Sequence, residues 1–220
     1  MDVNSLVLWT DESIIVLNKP SGLLTLPDGY DPLKPHVRAI MEVEYGRVWI
    51  VHRLDRETSG TLVLARTAEA HRNLNSKFEN RTVEKTYHAL VVGNPAWEKT
   101  TVDLPLKKDG DRQHRTVIDQ QDGKEAFTSF SVLARYTDYS LLEARPKTGR
   151  THQIRAHLAA LGHPIIGDSL YGDLTHPRHN LLDRQALHAY QISFSHPDSD
   201  EKIEFQVAYP DDFSSVLRSS

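Results

Sequence analysis

Short apolar runs separated by polar turns recur along the whole chain and predict a protein rich in β-strands. Most runs are bounded by Gly, Pro, Asn, Asp or Ser, the residues that favour turns. Two neighbouring pairs of runs flank the tight polar turns Thr137-Asp138 and His196-Pro197-Asp198, and these pairs predict β-hairpins. The predicted strands cover residues 6–9, 14–17, 48–51, 61–65, 86–92, 126–136, 139–144, 187–194 and 202–208.

Three segments have the apolar spacing of helices instead. Residues 68–80 place apolar side chains four positions apart, and residues 37–45 have a similar pattern. Residues 151–161 form the third predicted helix, which ends before Gly162 and Pro164. Many strands interleaved with few helices predict the α+β class, with a mixed, largely antiparallel sheet and flanking helices.

The composition is that of an ordinary globular protein, and it excludes several kinds of chemistry. Hydrophobic residues make up 39% of the chain and charged residues 25%, and cysteine is absent. Disulfides, thiolate catalysis and cysteine-based zinc sites are therefore excluded. No apolar stretch approaches the roughly 20 residues of a membrane helix, and the N-terminus lacks the features of a secretory signal. We expect a cytoplasmic protein without a membrane partner, and no linker or repeat divides residues 1–220 into separate domains.

Charge is unevenly distributed along the chain. The net charge is −4, but residues 144–167 hold no Asp or Glu. The basic residues of that segment are Arg145, Lys147, Arg150 and Arg155, and a second basic cluster consists of Lys107, Lys108, Arg112 and Arg115. Each cluster taken alone is most simply a solvated face. Together they indicate an RNA-binding surface, with Lys107 and Lys108 as candidate phosphate contacts.

The stretch 52–60, HRLDRETSG, contains the best candidate for a catalytic carboxylate. Asp55 lies between Arg53 and Arg56, directly after the predicted strand 48–51. Neighbouring guanidinium groups favour the ionised form of a carboxylate, which a nucleophilic or charge-stabilising Asp requires. The alternative is a surface loop with a local Arg–Asp pair, which is common and contributes little to stability.

This stretch resembles the catalytic motif of the RluA-type RNA pseudouridine synthases. The similarity extends over residues 10–210. The further segments that resemble the family, in the same order, are NKPSGLL at 18–24, KTYHAL at 85–90, GRTHQIRAHL at 149–158, and GHPIIGD at 162–168 followed by Tyr171-Gly172. The resemblance implies one mixed sheet shared by two lobes of a single catalytic domain, with a central RNA-binding cleft.

The resemblance also implies a reaction and three catalytic residues. The family isomerises uridine in RNA to pseudouridine without a cofactor or a metal. Asp55 matches the catalytic aspartate, which attacks or abstracts at the sugar. Tyr87 matches the tyrosine that stacks on the base and takes part in proton transfer. Arg155 matches the arginine that pairs with this aspartate, so we expect an Arg155–Asp55 ion pair.

Further positions match family residues that contact RNA or support the site. Arg53 matches a position linked to holding the displaced nucleotide, and Arg150 is a candidate for phosphate or flipped-base contact. Leu158 is a candidate for the base pocket, with core packing as its alternative. Lys19 and Lys85 are expected to be structural or to contact phosphate.

Three histidines close in sequence, His152, His157 and His163, raise the question of a metal site. Their spacings of five and six residues do not place them on one helix face, and no recognisable ligand set is present. We therefore expect no metal and no other cofactor. We also expect a monomer with no obligate protein partner.

The expected substrate is structured RNA, most simply a stem-loop of ribosomal RNA, transfer RNA or both, with large-subunit ribosomal RNA favoured. Many family members carry an additional N-terminal, S4-like RNA-binding domain, and here the first predicted strand begins at residue 6. Target selection is therefore expected to reside in the loops of the catalytic domain. Two alternatives are a non-catalytic RNA-binding module of the same fold and a hydrolase using Asp55 and Glu57 on a glycosidic bond, although such a hydrolase needs carboxylates on both sides of the bond.

Overall fold

A computed structural model describes residues 3–29, 31, 33–172 and 174–218 of the chain. Within these residues the helices are α1 (Val37–Tyr45), α2 (Ala68–Glu79), α3 (Gln153–Ala160) and α4 (Asp211–Arg218). The strands of the same residues are β1 (Val7–Thr10), β2 (Ile14–Lys19), β3 (Trp49–Ile50), β4 (Ser59–Ala65), β5 (Glu84–Val92), β6 (Lys99–Asp103), β7 (Leu106–Lys107), β8 (Val117–Ile118), β9 (Phe127–Arg135), β10 (Tyr139–Pro146), β11 (Leu187–Ser195) and β12 (Lys202–Gln206).

Every predicted strand and helix is present, with ends shifted by a few residues. The strand pairs β9–β10 and β11–β12 are antiparallel, which confirms the two predicted hairpins. The pair β1–β2 is antiparallel as well, and the largely antiparallel fold class is confirmed. Four elements were not predicted: β6, β7, β8 and α4. Strand β6 is mostly exposed and has the polar sequence KTTVD, so it lacks the apolar alternation that indicates a strand.

The chain divides into two compact units. The first consists of Met1–Glu84 and Ala189–Ala208, and the second consists of Lys85–His188 and Tyr209–Ser220. In the first unit the strand order is β1-β2-β4-β11-β12, and β3 pairs with the end of β4. Helix α2 places Ala70 and Leu74 in a core with apolar residues of β2, β4 and β11.

The second unit is built on the strand order β5-β10-β9-β6, in which all neighbouring strands are antiparallel. Its core gathers apolar residues from these strands, from α3 and from Phe213 and Val216 of α4. Strands β7 and β8 form a separate two-stranded hairpin. Each unit therefore has a hydrophobic core of its own, and the single catalytic domain stays a prediction.

Strand β4, which follows the HRLD segment directly, is buried at all seven of its positions. Gly60 in this strand has a φ of +116°, and a Cβ atom there would lie 2.2 Å from the carbonyl oxygen of Ala189. Only glycine allows β11 to approach so closely, which explains the glycine that ends the HRLDRETSG segment. None of the helices in the described part of the chain combines the length and apolar character needed to span a bilayer.

Candidate active site

Asp55 lies in the loop between β3 and β4 of the first unit, and the main chain on both sides of it is held in place. Buried Leu54 is bonded twice to Thr25, whose hydroxyl donates to the Leu54 carbonyl at 2.9 Å and accepts from the Leu54 N–H at 3.3 Å. The N–H of Thr58 donates to the Asp55 carbonyl at 3.1 Å. The half-exposed Asp55 side chain therefore projects from an ordered loop.

A buried lysine holds the main chain of the same loop just after Asp55. Lys19 is only 1% exposed, and its ammonium donates to the carbonyls of Pro20 at 2.9 Å, Leu23 at 2.7 Å and Arg56 at 3.0 Å. Carbonyl oxygens thus compensate the cost of burying this charge. The segment NKPSGLL therefore has a structural role in this unit, which is to hold the residue that follows Asp55.

The two arginines that flank Asp55 have different surroundings. Arg56 donates from Nε to the Gly22 carbonyl at 3.1 Å and lies 3.4 Å from the carboxylate of Glu57. Arg53 is exposed, and within the described ranges it has no hydrogen bond or ion pair. Arg53 is therefore the flanking cation that is available for an external anion.

Tyr87 lies in the second unit, on β5, opposite Ala144 of β10. Its side chain is half-buried and packs against the core of that unit. Two residues earlier on the strand, the Lys85 ammonium is 3.4 Å from the carbonyl oxygen of Thr148. Burial lowers the pKa of Lys85 to about 8. The Lys85 side chain of the KTYHAL segment thus lies close to the segment that precedes α3.

Arg155 of α3 is buried and held by an acidic partner of its own unit. Its Nε and Nη2 donate to the two carboxylate oxygens of Asp168 at 2.7 and 2.8 Å. The guanidinium also lies over the ring of Tyr171, 4.9 Å from the ring centroid. An ion pair along one edge and an aromatic ring against one face fix the orientation of this guanidinium.

Asp168 was missed by the sequence analysis as a functional residue. Its Oδ1 also accepts from the N–H groups of Leu170 and Tyr171 at 3.0 and 3.1 Å. The preceding Gly167 has a φ of +72°, and a Cβ atom there would lie 2.0 Å from the carbonyl oxygen of Arg184. The sequence signal was the Gly-Asp pair at the end of GHPIIGD, which had been noted only as part of the resemblance. The predicted Arg155–Asp55 pair joins residues of the two units and stays a prediction.

Arg150 and the start of α3 are organised by Gln153. The side-chain Oε1 of Gln153 accepts from the Thr148 hydroxyl at 2.7 Å and from the Arg150 main-chain N–H at 3.0 Å. The Nε of Arg150 donates to the Glu125 carbonyl at 2.9 Å, which leaves the half-exposed guanidinium near the surface. Leu158 is completely buried in the core of the second unit. This position agrees with core packing, the alternative given for Leu158, and its place in a base pocket stays a prediction.

The candidate phosphate contacts on the β7–β8 hairpin are paired with acidic residues. The Lys107 ammonium is 2.8 Å from Asp122 and 3.3 Å from Asp119, and these hydrogen bonds raise its pKa. Lys108 is 3.7 Å from Asp109. Both lysines are still solvent-accessible, but their charge is largely compensated within the second unit.

The three histidines considered for a metal have separate partners. His157 is completely buried between the Thr128 hydroxyl at 2.9 Å and the Leu104 carbonyl at 3.1 Å, and burial lowers its pKa. His152 lies 3.2 Å from the Tyr171 hydroxyl, and His163 lies 2.9 Å from the Val92 carbonyl. These contacts give each ring a structural function within the second unit.

Comparison with known protein families agrees with this arrangement of motifs. The sequence profile of the RNA pseudouridylate synthase family matches residues 13–160. An uncharacterized RNA pseudouridine synthase of Bacillus subtilis is 37% identical over 97% of this chain, which covers 72% of that protein. Ribosomal large subunit pseudouridine synthase D of Neisseria meningitidis is 35% identical over 96% of this chain, which spans only 60% of that relative's length.

Solved structures show the same fold. Human RNA pseudouridylate synthase domain containing 4 aligns with a TM-score of 0.81 at 25% identity, over 98% of this chain and 93% of the human one. Human RNA pseudouridylate synthase domain containing 1 aligns with a TM-score of 0.78 at 28% identity, over 94% of this chain and 83% of the human one. The α+β arrangement described above is therefore shared with pseudouridylate synthase domains.

Proposed function

The chain belongs to the RNA pseudouridylate synthase family, of the RluA type, and we propose that it isomerises specific uridines of structured RNA to pseudouridine. The observation that carries this proposal is the position of Asp55. The aspartate of the family motif projects half-exposed from a loop whose neighbouring main-chain groups are held by Thr25 and Lys19. A fixed and accessible carboxylate is what nucleophilic or charge-stabilising chemistry requires.

The proposed reaction breaks the N1–C1′ bond of a uridine and forms a C5–C1′ bond on the same nucleotide. The proton that leaves C5 is balanced by the one that N1 gains, so the reaction needs no oxidant or reductant. Asp55 would assist bond breaking by attack or abstraction at the sugar. Tyr87 would stack on the base and move the proton, and Arg155 would orient the carboxylate of Asp55.

The proposed substrate is a stem-loop of ribosomal RNA, transfer RNA or both. The relative from Neisseria is named for the large ribosomal subunit, which favours ribosomal RNA as the first substrate to test. The target uridine must leave its stack to reach the enzyme, and a loop allows this at low cost. Exposed Arg53 is the best-supported candidate for contact with the displaced nucleotide or its phosphate. We propose action in the cytoplasm, as a monomer.

The alternative, a hydrolase that uses Asp55 and Glu57, is less well supported because of the contacts that Glu57 makes. The carboxylate of Glu57 accepts from the Ser21 hydroxyl at 3.0 Å and lies near Arg56, so it already has local partners. Incubation of the purified protein with uridine-containing stem-loop RNA separates the possibilities. Pseudouridine in the digested RNA supports the proposed isomerase, free uracil indicates a hydrolase, and unchanged RNA that is nevertheless bound indicates a non-catalytic module.

A comparison of pseudouridine maps from cells with and without the gene tests the substrate. We expect the loss of one or a few pseudouridines in ribosomal or transfer RNA. If every site in both classes of RNA stays modified, the substrate proposal is wrong, whatever the purified protein does to model RNA.

A further inference from the structure

Tyr171 connects two parts of the second unit that the sequence analysis had treated separately. Its hydroxyl accepts from the Thr116 N–H at 2.8 Å and donates to the Thr116 carbonyl at 3.2 Å. Thr116 is buried and directly precedes β8 of the β7–β8 hairpin. One side chain thus satisfies both main-chain groups of a hairpin residue, much as a neighbouring strand would.

The ring of the same tyrosine supports Arg155. The guanidinium lies 4.9 Å from the ring centroid, and the Tyr171 N–H bonds to the carboxylate of Asp168 that pairs with Arg155. The ring also packs against a small apolar cluster of Leu106 and Ala156 with Ala126, which joins β7 to α3. Tyr171 therefore contacts the hairpin and His152 through its hydroxyl, and the arginine through its ring.

The base of the hairpin is also held by main-chain bonds between Leu106 and Lys124, whereas Thr116, just before the other strand, is held by Tyr171. The hairpin's charged side chains are largely paired among themselves, as Arg115 is with Asp111 at 2.6 Å. Burial raises the pKa of the Tyr171 hydroxyl, which therefore remains a hydrogen-bond donor at neutral pH.

We propose that Tyr171 is a positioning residue that sets the place of the β7–β8 hairpin relative to Arg155, so that RNA held by the hairpin is in register with the guanidinium. This inference rests on the proposed function. The hydroxyl serves RNA binding through the hairpin, and the ring serves turnover through Arg155. Removal of the hydroxyl alone should therefore weaken RNA binding, whereas removal of the whole ring should also slow turnover.

Two variants separate these roles. In Tyr171→Phe the ring remains against Arg155, while the bonds to Thr116 and the 3.2 Å contact with His152 at the start of α3 are lost. We expect faster hydrogen–deuterium exchange at residues 109–118 and a KM for RNA that rises on the order of 3–10-fold, with kcat close to that of the parent. In Tyr171→Leu the ring is also lost, and we expect kcat to fall as well.

Tyr190→Phe is the matched control. It removes a hydroxyl that accepts a 2.6 Å bond from Gln206 in the first unit, and it should change neither exchange at residues 109–118 nor RNA affinity. RNA affinity measured by filter binding makes the test independent of turnover. A parent protein that forms no pseudouridine contradicts the proposed function, while the exchange and affinity data still decide the role of Tyr171.

The possible outcomes are distinct. Faster exchange together with weaker RNA binding in Tyr171→Phe supports the proposal. Unchanged exchange would show that the hydroxyl does not hold the hairpin. Faster exchange with unchanged RNA affinity would show that the position of the hairpin does not affect RNA binding. Either result contradicts the proposal. Equal loss of kcat in the Phe and Leu variants overturns the division of roles between hydroxyl and ring.

Discussion

Arg155 and Asp168 form a two-pronged ion pair in which the side chains are only 8% and 0% exposed. A pair so deeply buried is sensitive to the loss of one member, because the remaining charge then lies in the interior without compensation. It also gives Arg155 a fixed orientation before any substrate binds. Stability and catalysis are therefore expected to be coupled at this pair.

Arg155→Ala should lower both the free energy of unfolding and the rate of pseudouridine formation. The stability loss should be about 3–5 kcal/mol, the usual cost of leaving one buried charge unpaired. Chemical denaturation and turnover assays measure the two effects. The double variant Arg155→Met with Asp168→Leu should regain much of the stability without regaining activity. Full activity in the double variant would show that Arg155 has only a structural role.

Asp55→Asn should abolish pseudouridine formation while the fold and RNA affinity are kept. The amide preserves the shape of the side chain but removes its charge and its nucleophilic oxygen. Turnover, thermal unfolding and RNA binding are measured in parallel, with Asp183→Asn as a control at an exposed acid of the second unit. Turnover near the parent rate in Asp55→Asn would exclude this mechanism.

Tyr87→Phe should keep RNA affinity and lose most of the turnover. The ring, which packs against the core and is proposed to stack on the base, remains, whereas the oxygen that is proposed to move the proton is removed. Single-turnover kinetics at saturating enzyme isolate this step from binding. An unchanged single-turnover rate would mean that the hydroxyl has no chemical role.

Arg53→Ala, which removes one positive charge, should weaken RNA binding by more than half of the effect of the double variant Lys107→Ala with Lys108→Ala, which removes two. Arg53 is exposed without an ion-pair partner in the described residues, whereas the two lysines are partly neutralised by Asp119, Asp122 and Asp109. Affinity measured over a range of salt concentrations gives the number of phosphate contacts, and each lost contact should reduce the slope by about 0.7 for a single strand.

The lysine pair should still weaken binding, without a change in the single-turnover rate of bound RNA. Equal losses per charge in the arginine and lysine variants would show that the acidic partners release the lysines when RNA binds.

The free energy of unfolding should fall as the pH is lowered from 6.5 to about 4, because of His88. Burial lowers the pKa of this imidazole from 6.5 to about 4. The unfolded chain therefore binds a proton in this range that the folded chain does not, so protonation favours unfolding. Denaturation at several pH values should show a shallower dependence in His88→Leu. His114→Gln, at a side chain that is 83% exposed, should keep the parent slope.

Local patterns in the sequence were sufficient for most secondary structure. The turn Thr137-Asp138 between two apolar runs predicted the β9–β10 hairpin, and four-residue apolar spacing predicted α2. Helix α4 was missed because its buried side chains, Phe213 and Val216, are too few to form a clear period in eight residues. Periodicity is informative because burial of one face repeats along an element, and this repetition is weak in short ones.

The segments that resemble the family predicted Asp55, Tyr87 and Arg155 as site residues, but they did not predict all of the contacts that hold these residues in place. The Lys19 contact with the Arg56 carbonyl spans 37 positions of the chain, and no local pattern predicts it. Helix α3 is buried at every position from Gln153 to Leu158, so its apolar spacing does not reveal which of its side chains face the core.

The sequence by itself determined the strands, the main helices, the family and the motif residues, because these depend on residue type and local spacing. Only the tertiary structure decided that Asp168 pairs with Arg155, that Leu158 lies in the core and that Lys107 forms ion pairs with two aspartates. The physical reason is that an ion pair or a buried face depends on which loops meet in space. Which loops approach one another depends on the packing of the whole unit. At Gly167, for example, a side chain would collide with the main chain of Arg184.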